Sequence, residues 1–142
     1  MRLRRPPVYS FWIDGPPRSQ DAQKKLGYVQ RIKRAATNLV PGPLQSTRLD
    51  IDIIFAARDR LVRPDVDNVA KPILDALKDV LYADDWQVRS VRVVALPLDD
   101  VFRLRGEPKT LDRLFRTEQF LINVYDGLVL DVWIGQAKEI RL

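Results

Sequence analysis

The apolar positions change period several times along this chain, and each change marks an element. Residues 8–13 (V-Y-S-F-W-I) are aromatic and β-branched and run into Asp14-Gly15-Pro16-Pro17, which predicts a strand and a turn. Over 21–38 the apolar residues Ala22, Leu26, Val29, Ile32, Ala36 and, just beyond, Leu39 recur at spacings of three and four, an amphipathic helix closed by Pro41-Gly42-Pro43. Its polar side carries Lys24, Lys25, Arg31, Lys33 and Arg34, either a solvated face or a surface for phosphates. Residues 48–57 alternate, with Leu49, Ile51, Ile53 and Phe55 on one side and Arg48, Asp50 and Asp52 on the other. That alternation assigns Asp50 and Asp52 to the solvent face of a strand.

A second helix is predicted over 68–80. Val69, Ile73, Ala76, Leu77 and Val80 form its apolar stripe, and Asp67, Lys71, Asp75 and Lys78 line the other side. Asp67 is a candidate N-cap, and Pro72 loosens the first turn or shifts the start. Residues 87–96 read as a strand ended by Pro97. The stretch 98–117 has no sustained period; it reads as a basic loop with one helical turn at 111–115. Runs at 120–125 and 128–134, separated by Asp126-Gly127, predict a hairpin. The order β-α-β-α-β-loop-β-β predicts an α+β fold, a small mixed sheet packed by two main helices. The expected organisation is a single domain over 1–142, with a core at 8–126, a loop insertion at 98–117 and a C-terminal extension at 127–142.

Composition narrows the chemistry. A 142-residue chain with 46% hydrophobic and 30% charged residues is expected to form one globular core. The net charge of +5 is unevenly placed: residues 1–63 hold 13 basic and 5 acidic side chains, and residues 64–142 hold 11 and 14. A basic surplus favours an acidic partner such as nucleic acid. The chain has no cysteine and no histidine, which removes disulfides, thiolate and imidazole metal sites and every histidine-dependent triad. With no signal-peptide pattern and no apolar run of membrane-spanning length, a cytoplasmic protein without a membrane partner is expected.

The acidic half contains one stretch dense in candidate chemistry, R-P-D-V-D-N-V-A-K-P-I-L-D-A-L-K-D-V-L-Y-A-D-D-W-Q-V over 63–88. Asp65 and Asp67 lie two apart, Lys71 follows Asp67 by one helical turn, and Asp84-Asp85 closes the segment. If Asp84-Asp85 returns to the start of this stretch, the carboxylates suit Mg²⁺ or Mn²⁺, which take oxygen ligands and keep several waters. Such ions activate water and neutralise a leaving oxygen in phosphodiester chemistry, with Lys71 placed for phosphate charge. The same residues also fit an N-cap, a surface i,i+4 ion pair and a turn. Spacing alone leaves both readings open.

Taken together, P-D-V-D-N-V-A-K at 64–71, L-D-A-L at 74–77 and L-Y-A-D-D-W-Q-V at 81–88 resemble the RusA family of Holliday junction resolvases. The resemblance is tight over 63–88 and loose over 8–125. It implies a homodimeric, Mg²⁺-dependent endonuclease that resolves four-way DNA junctions by paired symmetrical nicks. It implies catalytic roles for Asp65, Asp67, Asp85 and Lys71 and metal ligation by Asp65, Asp67 and Asp85 with Asp84 beside them, and Asn68 matches the family's asparagine; Arg18, Lys24, Lys25, Arg63 and Asn68 are the candidate DNA contacts. The pattern departs at Pro64, where some members carry a basic residue, and in a thin basic cluster after the first strand. A non-catalytic basic nucleic-acid-binding module is the alternative. A glycosyltransferase using Asp65 and Asp67 is disfavoured by chain length and the lack of a glycine-rich phosphate loop.

Overall fold

The computed structural model describes residues 6–17, 25–57, 66–97, 106–129 and 132–137. Its elements are β1 (Tyr9–Ile13), α1 (Lys25–Leu39), β2 (Leu49–Ala57), α2 (Val66–Leu77), a single 3₁₀ turn (Asp85–Gln87), β3 (Val88–Pro97), α3 (Pro108–Arg116) and β4 (Phe120–Tyr125). The four strands form one mixed sheet in the order β1-β4-β2-β3. β2 and β3 run parallel, joined through α2, and β4 runs antiparallel to both β1 and β2. The fold is α+β, as expected, with a third helix added.

Alternation in the strands divides the side chains between two layers. Phe11, Ile13, Ile51, Ile53, Phe55, Ile122 and Val124 face α1 and α2, where Tyr28, Ile32, Ala36, Val69, Ile73, Ala76 and Leu77 complete the main core. The other face is covered too. Ile54, Leu96 and Leu121 pack with Leu114 of α3 and Ile134 of the C-terminal segment.

That second layer overturns the solvent-face reading of Asp50 and Asp52, both fully buried. Asp52 belongs to a polar row crossing all four strands: Ser10, Asn123, Asp52 and Arg92 are register neighbours. Arg92 donates to both Asp52 oxygens (2.6 and 3.1 Å) and to the Val129 carbonyl (2.7 Å). Arg89 donates to Asp50 at 3.0 Å, and the Val129 N–H donates to the other Asp50 oxygen at 3.0 Å. Asn123 donates to the Gly135 carbonyl, while the Ala137 N–H donates to Ser10, whose hydroxyl donates to Asn123. Buried polar groups are thus satisfied by one another and by the tail, which fixes where the tail lies.

The predicted hairpin does not form among the described residues. β4 has a strand on each side, so no edge is free for the run after Asp126-Gly127; that run instead crosses the polar row and bridges Gly106 at Ile134. A Cβ on Gly106 would lie 2.7 Å from Ile134, so the crossing needs glycine there. The predicted basic loop is helical over α3. Pro108 opens it, Leu111, Leu114 and Phe115 face the second layer, and Arg113 and Arg116 occupy its last turn, where cations are favoured. Arg113 also stacks on Trp12, 4.1 Å from the ring centroid. Residues 98–105 of that expectation lie outside the described residues.

Candidate active site

The motif residues are carried by α2 and the turn before β3. α2 buries Val69, Ile73, Ala76 and Leu77 against the sheet, which leaves Asn68, Lys71, Asp75 and Lys78 exposed on its outer face. The described helix begins at Val66, so Asp67 is a position within it and not the residue preceding it. Pro72 is buried inside α2 and removes the bond to the Asn68 carbonyl, a group at an exposed position that water can serve. Asp65, Arg63, Arg18 and Lys24 lie outside the described residues, and Lys25 and Asp67 enter only as backbone positions of α1 and α2.

Two ion pairs run along the exposed stripe. Lys71 contacts Asp75 at 3.4 Å, and Lys78 contacts Asp85 at 3.7 Å. Asp85 therefore stands beside the C-terminal end of α2, whereas Asp67 is near its start; the ten residue steps from Asp67 to Leu77 span about 15 Å of helix. Among the described residues no three acids converge on a point. Asp84 and Asp85 are both exposed. Tyr82, below them, has its phenol pushed up to about 12 by burial and then by the nearby charges of Asp85, Asp75 and Asp79; its hydroxyl donates to the Leu74 carbonyl at 2.9 Å.

The residue that holds this turn is Gln87, fully buried. Its Oε1 accepts from the N–H groups of Ala83 (3.0 Å) and Asp84 (2.9 Å), and its Nε2 donates to the carbonyls of Leu44 (2.8 Å) and Thr47 (3.1 Å). One amide thus ties the Ala83–Asp84 backbone to the segment leading into β2. The sequence places Gln87 in the motif without giving it a task. The available signal is a polar side chain beginning a strand among apolar neighbours.

A family model described as endodeoxyribonuclease RusA matches residues 16–107. The chain belongs to the RusA endodeoxyribonuclease family. The RusA match spans α1, β2, α2, the Gln87 turn and β3, and so contains every motif residue from Asp65 to Asp85. It excludes α3, β4 and the tail that clamps the polar row. No curated protein matches the chain. No helix among the described residues is long and apolar enough to cross a membrane.

Proposed function

We propose that this chain is a Mg²⁺-dependent endodeoxyribonuclease that resolves four-way DNA junctions as a homodimer, by paired nicks that leave 5′-phosphate and 3′-hydroxyl ends, in recombination and repair. The carrying observation is the family match over 16–107, which encloses the whole composite motif. Asp65, Asp67 and Asp85, with Asp84 beside them, are the ligands in this reading, although Asp85 pairs with Lys78 beyond the far end of α2 from Asp67, so the described residues do not by themselves gather these acids at one point. They form an all-oxygen donor set in a chain without histidine or cysteine, which fits a hard cation, with Mn²⁺ able to substitute. When bound, such an ion supplies an activated water and polarises the phosphodiester.

The chain's own groups do the rest. Lys71 brings an ammonium to the developing charge on the phosphate; its present partner, Asp75, holds it by an exposed pair of about 0.3–0.5 kcal/mol that a phosphate displaces easily. Asp85 is held by Lys78 in an equally exposed contact. Arg18, Lys24, Lys25, Arg63 and Asn68 meet the DNA. A two-fold dimer offers two acidic sites to a two-fold junction.

The test compares a fixed four-way junction with linear duplex of the same sequence, with and without Mg²⁺. Cleavage of the junction alone, abolished in Asp67→Asn with junction binding retained, supports the reading. Salt-sensitive binding without cleavage under Mg²⁺ or Mn²⁺ favours a non-catalytic module.

A further inference from the structure

The 3₁₀ turn carries a group that the motif chemistry does not use. Trp86 lies between two exposed aspartates and the fully buried Gln87, yet is itself 50% exposed. Gln87 points inward to its four partners, so Trp86 is turned outward. The Arg48 guanidinium lies over its ring, 5.3 Å from the centroid. Both residues sit on one frame, because Gln87 bonds the carbonyls of Leu44 and Thr47 immediately before Arg48.

We propose that the Arg48–Trp86 pair is a stacking platform for an unpaired DNA base beside the acidic turn, and that it favours branched over linear substrates; the inference rests on the endonuclease reading. With the Arg48 guanidinium beside it, this half-exposed ring offers a flat π surface, and the part of DNA that matches such a surface is the uncharged face of a base. In continuous duplex that face is covered by its neighbours. At a branch point it is free. Aromatic stacking tolerates any base, and an adjacent guanidinium adds cation–π and phosphate attraction.

The experiment measures binding of a labelled four-way junction and of linear duplex with Ca²⁺ replacing Mg²⁺, for wild type, Trp86→Ala and Trp86→Phe. Trp86→Ala should bind the junction about 10-fold more weakly and the duplex within about twofold of wild type, while Trp86→Phe stays within about threefold on both. Tryptophan emission quenched by the junction should lose that quenching in Trp86→Phe, whose binding persists. Unchanged junction binding by Trp86→Ala, an equal loss on both DNAs, or a fall in molar mass by light scattering overturns the platform. Wild-type protein that binds neither DNA overturns the endonuclease reading and the platform with it. Wild-type and Trp86→Ala proteins that bind and cut junctions equally overturn the platform alone.

Discussion

Arg92→Met keeps a long unbranched stem and removes the guanidinium that bonds both Asp52 oxygens and the Val129 carbonyl. Asp52 is fully buried, so the guanidinium is the main compensation for its charge. Removing one partner of a buried pair costs about 3–5 kcal/mol. The Arg92 side chain is 23% exposed, so water reaches part of the vacated space and the lower end applies, about 3 kcal/mol. About 1 kcal/mol of this is the lost bond to Val129. For a chain of this length the melting midpoint should fall by roughly 10 °C.

The penalty should also depend on pH. Burial raises the Asp52 carboxyl above its usual range despite the opposing pull of Arg92, and without Arg92 it rises further. A raised folded-state pKa means the folded chain binds this proton more tightly than the unfolded chain, so acid favours folding through this group. The excess cost of Arg92→Met should shrink as pH falls from about 7 towards the ordinary carboxylate range near 4, leaving the hydrogen-bond portion. Urea denaturation of both proteins at the two ends of that window, followed by circular dichroism, measures it. A penalty below about 1 kcal/mol at neutral pH, or one that does not change with pH, refutes a charged, buried Asp52–Arg92 pair.

Other changes test neighbouring features. Gln87→Glu keeps shape but sets a carboxylate against the Leu44 and Thr47 carbonyls; a loss of about 2–4 kcal/mol at neutral pH, partly recovered in acid, is expected by denaturant titration. Gly106→Ala drives a methyl into Ile134 and should cost about 1–3 kcal/mol, detectable as faster amide exchange in the tail. The phenols of Tyr82 and Tyr125 are both pushed up to about 12, chiefly by burial. Stability held below the usual tyrosine pKa is therefore lost as pH climbs from 10 to about 12, and an alkaline absorbance titration should show a late component that disappears in the Tyr82→Phe, Tyr125→Phe double variant. Lys71→Ala should leave the melting midpoint within about 2 °C of wild type, since its pair is exposed, while junction cleavage falls; a large stability loss would make the lysine structural.

Period-2 alternation in 48–57 located β2 and the face meeting α1 and α2, because that information is local. It did not show what covers the other face. The covering groups are α3 and residues around Val129 and Gly135, remote in sequence, so Asp50 and Asp52 look like surface acids until the register is known. The Asp126-Gly127 turn signal is equally local and lost to topology, since β4 had no free edge. Site residue types were legible as a motif. The role of Gln87 was not, because two of its partners are backbone carbonyls at 44 and 47, which carry no side-chain signature.

The strand order also bears on how the chain is made. Among the described residues β4 is the last strand in sequence but an interior strand of the sheet, and it is the one that pairs with β1. On a ribosome, β1 therefore waits for its partner until residues 14–119 have been made. Until 120–125 is released, the β2 edge that pairs with β4 leaves its backbone N–H and C=O groups open, so a nascent chain stalled before Phe120 presents an unpaired, apolar strand to chaperones or to other nascent chains.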